Sequence, residues 1–290
     1  MLEAASLDRA ADRAEAASDF WLDRAPPVRP GARVAVVEFA IEVVTEKDES
    51  SFDRQLAFLP PSPVTLGLTA VGPLRQRFDF GEGFPQQLAD AMYLAFEELA
   101  HEQGLELVPP AEVQASSGFT RVPSSTAEEV STLRTLNLVA IDTGRIKKTT
   151  LVPAGGTRLV AGSGRAADAG QRVLLDRLGA DAAVRVKIRV GTYRGGAAVM
   201  QGSEIAVVTR RNEGRLVSTR SLVASPPAET ELAGEAGAFG TREVDQRVFL
   251  EGIDDVFPPY AAMALAEMIE RRGEEERPAA RARSAVRAGE

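Results

Sequence analysis

The chain has 290 residues, 44% of them hydrophobic and 26% charged, with 25 Gly and 17 Pro. These proportions belong to folded proteins and exclude disorder along the whole length and fibrous repeats. The formal net charge of −8 has the wrong sign for a protein that holds a polyanion by neutralising phosphates, so nucleic acid is excluded as the principal ligand. There is no cysteine, which removes disulfides, thiolate metal sites, cysteine nucleophiles and lipid attachment to cysteine within this chain.

The first residues, from Met1 through Glu3 and Asp8 to Arg13, are of mixed charge and lack the apolar core of a secretory signal. No run approaches the ~18 apolar residues of a transmembrane helix. The expected location is the cytoplasm, or the periplasm or outer membrane if a leader has been removed.

From Leu2 to about Arg24, Leu7, Ala11, Ala14, Ala17 and Trp21 fall at helical spacing, predicting an amino-terminal helical arm over residues 1–30 that ends in the Pro26, Pro27, Pro30 and Gly31 cluster. A single α/β domain is expected over 31–272. It opens with a strand over Arg33 to Val44, where Val34, Ala35, Val36 and Val37 read as buried and Phe39, Ile41 and Val43 alternate with Glu38 and Glu42. One face of that strand is therefore wet or paired. Residues 45–83 are too long for a simple connection and form an insertion, a candidate binding loop.

Pro85 suits a first helical position, and Leu88, Met92, Ala95, Phe96 and Leu99 continue the helix up to Gly104. Leu105 to Val108 is a short strand, and Pro109-Pro110 opens a helical turn through Val113. Ser125 and Glu128 have capping-box spacing ahead of Val130 and Leu133. Leu138 to Ile141 is a candidate strand, and Lys148 to Val152 with Thr157 to Val160 reads as a hairpin around Gly155-Gly156. A helix from Arg165 to Leu178 ends at Gly179.

In the strand that follows, Val184, Val186, Ile188 and Val190 point one way and Arg185, Lys187 and Arg189 the other. Ala197 to Thr209 and Leu216 to Val223 form two more strands, joined through Asn212-Glu213-Gly214. A connector from Ser225 to about Gly240 leads to a last helix starting near Pro258-Pro259, and a disordered tail is expected over 273–290. This order predicts an α/β (α+β) fold, with a mixed sheet, a C-terminal antiparallel meander and helices mainly on one face.

Chemistry is sparse. Glu98 and the single histidine, His101, have the spacing of a metal-ligand pair, but a di-iron bundle site needs a second such pair. The favoured reading of His101 is a solvated helix end, where a protonated imidazole meets the carbonyl pole. No metal, cofactor or catalytic residue is assigned. Gly162, Gly164 and Arg165, within Gly162-Ser163-Gly164-Arg165-Ala166-Ala167, match a relaxed dinucleotide fingerprint before a helix. The strand after that helix ends without the acidic residue that would hold a ribose, so a nucleotide-binding enzyme is the alternative reading only. The Arg185, Lys187, Arg189 stripe either meets an acidic partner or an anionic headgroup across an open sheet face, or pairs with Glu38 and Glu42 inside the sheet. Together with Trp21 these three cations are the candidate partner-binding residues.

Arg33-Val34-Ala35-Val36-Val37-Glu38-Phe39, the helix after Pro85, Leu105-Glu106-Leu107-Val108, and Leu178-Gly179-Ala180-Asp181-Ala182-Ala183-Val184 before a meander form a pattern. It resembles envelope proteins of the TolB amino-terminal fold, including the curli secretion (CsgG-like) family and lipoprotein activators of penicillin-binding proteins. The resemblance implies a non-enzymatic module that assembles or regulates a protein partner in the cell envelope, with homo-oligomers possible. Such proteins are often anchored by lipid on an amino-terminal cysteine, which this chain lacks. Channel-forming members insert lipid-facing hairpins; Gln201, Ser203 and Glu204 in the corresponding strand do not support a pore. The expected function is thus docking of a protein partner through the open sheet face, the insertion or the amino-terminal helix.

Overall fold

A computed structural model describes residues 2–3, 21–23, 28–48, 75–124, 146–161, 165–192, 198–224 and 240–269. In chain order the elements are β1 (Leu2–Glu3), β2 (Trp21–Asp23), β3 (Arg33–Asp48), β4 (Arg75–Asp79), α1 (Phe84–Glu102), β5 (Glu106–Leu107), α2 (Pro110–Ala115), β6 (Ile146–Pro153), α3 (Arg165–Leu178), β7 (Ala182–Thr192), β8 (Ala198–Thr209), β9 (Glu213–Val223), β10 (Gly240–Glu243) and α4 (Gln246–Met268). The strands make one mixed, 10-stranded sheet, so the protein is α/β of the α+β kind.

β3 is the spine. β7 runs parallel along one of its edges from Val34 to Val43. The other edge takes β5, parallel at Arg33 and Val34, and then β6, antiparallel from Ala40 onward. Past Val43 the edge that β7 leaves is taken up by β4, which pairs with Glu46, Lys47 and Asp48, and β10 lies parallel to β4. β7, β8 and β9 form the expected antiparallel meander.

Two layers of side chains sandwich this sheet. Phe39, Ile41, Val43, Val184, Val186 and Ile188 join the buried faces of α1 and α4 in the main core. The helical spacing of Phe84, Leu88, Met92, Phe96 and Ala100 supplies the stripe on α1, and Phe39 packs edge-on to Tyr93 and Phe257. The two longest helices thus share one face. On the other face a smaller core gathers Ala35, Val37 and Ala183 with Leu174, Leu175 and Leu178 of α3 and Val113 of α2.

A register shift between Val36 and Glu38 reconciles the two cores. Val36 pairs with Val184 but Glu38 with Arg185, so Val37 is an extra residue, a β-bulge. Residues 34 and 36 face the main core before it, and 39, 41 and 43 after it. Val37 and Glu38 consequently both face α3. Without the bulge, alternation would turn Glu38 into the apolar layer.

Several expectations are corrected. Trp21 lies in β2, paired with Ser218 of β9, and Leu2–Glu3 pairs with the same strand; the described parts of the expected arm are strands because the outer edge of β9 offers hydrogen-bonding groups that a shallow alanine face cannot match. Both ends of the 45–83 insertion are also strand, β3 running on to Asp48 and β4 returning beside it. The hairpin expected around Gly155-Gly156 is absent, since β6 pairs with β3 and Thr157 to Val160 makes only a bridge from Val160 to Ser124.

The β8–β9 connection is Thr209 to Asn212, with Gly214 already in β9 opposite Val207. The last helix begins at Asp245, whose carboxylate caps the amides of Arg247 and Val248. Pro258 and Pro259 lie inside it; burial of Phe249, Ile253, Val256, Phe257 and Tyr260 outweighs the ~3 kcal/mol an interior proline costs. The capping-box helix after Ser125, the candidate strand Leu138 to Ile141, Gly162 and Gly164, the centre of the insertion and the tail lie outside the described residues.

Candidate functional site

Strand alternation places Arg185, Lys187 and Arg189 of β7 together on the α3 side, where the bulge also delivers Glu38 and regular alternation Glu42. Lys187 Nζ stands 3.1 Å from Glu38 Oε1. Arg189 Nε and Nη2 both reach Glu42 Oε2 at 2.9 Å, and Thr149 Oγ1 of β6 donates to Glu42 Oε1 at 3.0 Å. Arg185 Nη2 lies 3.9 Å from Asp168 Oδ1 in the first turn of α3. Glu38 is wholly buried, Glu42 and Arg185 nearly so.

The predicted basic stripe is therefore one side of an internal charge ladder. Of the two readings of the stripe, the geometry is that of pairing within the sheet, because α3 and the loop through Val160 cover the face that docking would need open. Burial raises the Glu38 carboxyl above its ordinary range, and Lys187 and then Arg185 oppose that shift. Burial likewise raises Asp168, with Glu213 adding to the rise and Arg185 opposing it.

Asp168 was not among the expected partners. The signal for it lies in α3, where Asp168 and Gln171 share a buried face with Leu174, Leu175 and Leu178. The polar half of that face stands over the cations and the apolar half over Ala35, Val37 and Ala183.

A second buried polar group sits in the main core. Tyr260 donates to Ser203 Oγ at 2.7 Å, and burial holds its phenol up at about 12. Gly202 at φ 80 forms the bulge in β8 that turns Ser203 toward the tyrosine.

Of the other sequence candidates, His101 and Glu98 are exposed at the end of α1. Among the described residues, no group of three or more His, Asp or Glu side chains is placed to hold a metal ion. The helix that would follow the Gly162 turn does form, as α3.

Among the described residues, a cleft of about 560 Å³ opens at the end of the sheet where β3 and β7 begin, walled by residues 28–32, by Asp181 and Ala182, and by the hairpin Thr209 to Asn212. Thr209 Oγ1 both donates to the Asn212 carbonyl and accepts from its amide, each at 3.0 Å. That clamp makes Arg210 and Arg211 the tip of the turn. Arg29 lines the same cleft. Arg210 also reaches Asp176 at 3.3 Å, with both side chains more than half exposed, a contact worth little in water.

No family model, curated relative or solved structure matches the chain. The cleft, the ladder and the topology are therefore the grounds for a functional reading. Neither the Arg29, Arg210, Arg211 set nor the cleft was singled out from sequence. Arg210-Arg211 is an adjacent basic pair at a turn, and nothing in the linear order links it to Arg29, some 180 residues earlier.

Proposed function

We propose that the protein is a non-catalytic docking module that holds a protein partner at the arginine-lined cleft. The supporting observation is the contrast between two sets of cations. Those of β7 are buried against carboxylates and stiffen the sheet, whereas Arg29 on the segment before β3, and Arg210 and Arg211 on the β8–β9 turn, stand exposed beside an open cleft. Fixed, exposed guanidiniums on well-ordered elements are a means of selecting a partner by charge and shape.

The order of an opening strand, a helix, a short parallel strand and a closing meander accords with the TolB-like resemblance, and on that ground we place the partner in the cell envelope. The expected route through an open sheet face gives way to the cleft. The insertion and the amino-terminal segment remain further candidate contacts.

A photo-crosslinking residue at Asn212, introduced into the full chain in living cells, should trap a discrete protein adduct, while one at Leu94 on the far helix should not. Absence of any adduct at Asn212 overturns the reading. A panel of nucleotides should leave the melting temperature unchanged; a stabilisation abolished by Gly164→Val would replace docking with the nucleotide-binding alternative.

A further inference from the structure

We infer that the outer edge of β9 accepts β2 from a second copy of this chain, each protomer lending its strand to the other to close a strand-exchanged dimer at high concentration.

That edge is covered in two short pieces. β2 lies antiparallel against Leu216, Val217 and Ser218, and β1 lies parallel against Leu222 and Val223. Between them, Thr219, Arg220 and Ser221 have no strand on that side among the described residues, while β8 takes the inner edge. A sheet edge of this kind is a template for a further chain, and a cover of three residues opens locally at little cost.

The ground behind β2 also favours its release. Ser218 is fully buried and stands opposite Ser203 of β8. Tyr260 donates to Ser203 Oγ at 2.7 Å, and Ser218 is hydrogen-bonded to the same phenol. Three hydroxyls thus meet where the core reaches the edge strand. Water that enters when β2 leaves finds hydrogen-bonding partners there, where an unbroken apolar layer would exclude it.

The occupant follows from the cover the edge already has. A second copy brings Trp21, Leu22 and Asp23 to Ser218, Val217 and Leu216 in the identical register, so the exchanged pair keeps these contacts and closes as a symmetric dimer. Residues 24–27 join β2 to the body and include Pro26 and Pro27; past them the Val28 amide is tied to the Met268 carbonyl at 2.7 Å. Prolines narrow the conformations a released segment can explore, which reduces the entropy lost when it pairs with another chain.

The chain contains no cysteine, which makes the test direct. Leu22→Cys and Val217→Cys are placed in separate full-length chains, one carrying a size tag, and the two are mixed, concentrated and oxidised. Positions 22 and 217 are directly opposite, so a disulfide joins unlike chains when β2 of one lies on β9 of the other. Facing cysteines meet at an effective concentration far above that of free chains, and the unlike-chain product should exceed the like-chain products about tenfold or more. Light scattering on the unaltered chain should show a mass that rises from one chain toward two with concentration.

A mass of one chain at every concentration, or like and unlike chains linked equally, overturns the exchange. A doubled mass without the unlike-chain disulfide assigns the dimer to another surface and overturns it too.

Discussion

Glu38 occupies a position where a carboxylate is costly: no part of it reaches solvent, and the four residues before it in the strand, Val34 to Val37, are valine and alanine. The bulge at Val37 brings it to Lys187. Removing one member of a buried pair strands the other charge, which costs more than the pair contributes. Lys187→Met should therefore destabilise the fold by about 3–5 kcal/mol at neutral pH.

The sign of its pH dependence follows from the raised carboxyl. The folded protein holds the Glu38 proton more tightly than the unfolded chain does, so stability is fullest below the group's ordinary value of 4.5 and declines as pH rises above it. Without Lys187 the decline steepens. Urea unfolding across this range should show the Lys187→Met deficit shrinking on acidification, and Glu38→Gln added to that variant should restore much of the loss at neutral pH. A pH-independent deficit would contradict the pairing.

Among the elements, α3 shows how closely the second face is closed. A Cβ on Gly170 would sit 2.6 Å from the Arg121 carbonyl oxygen, and one on Gly118 would sit 2.6 Å from Leu174 Cα. Backbone stands in the way at both positions, so neither clash is relieved by a side-chain turn. In an exposed helix Gly→Ala would gain up to ~1 kcal/mol; here Gly170→Ala should instead lower stability by about 1–3 kcal/mol, measurable as a drop in the denaturant midpoint.

Elements with strong periodicity were legible in the sequence: α1 from Leu88, Met92 and Phe96, β7 from its alternating valines and cations, and the meander as a whole. What escaped was set by tertiary contact. Trp21 joins β9 because that edge accepts a strand, β6 prefers β3 to a hairpin partner, and α4 runs through Pro258 and Pro259 because its apolar face is buried on both sides of them. The ladder was half legible, since Glu38 and Glu42 could be named as partners but Asp168 could not. The cleft was not legible at all, because its walls come from chain segments that meet only in the folded state.

At the scale of the whole molecule, β3 and β7 are flanked on both edges by strands and on both faces by buried side chains. Their amides should exchange with deuterium only on global unfolding, while the Thr209 to Asn212 turn and α2 exchange through local opening. Exchange measured by mass spectrometry on peptic fragments checks this ranking, and early labelling of β7 would refute it. The slow centre gives β8 a fixed base, so that local opening of the turn after it leaves Arg210 and Arg211 anchored to the sheet.

The bulge at Val37 has an evolutionary corollary. Surface connections in a protein of this kind lengthen and shorten freely among descendants, and loss of the Val37 codon would leave a regular strand with Phe39 still opposite Val186, but the gain of one more codon between Val37 and Glu38 would exchange the inner and outer sides of everything downstream in that strand. Phe39, Ile41 and Val43 would be presented to the acid–base ladder, and Glu38 and Glu42 to the hydrocarbon interior. The spacing between Val36 and Glu38 is thus expected to resist lengthening far more than shortening, even where the residues on either side of it drift.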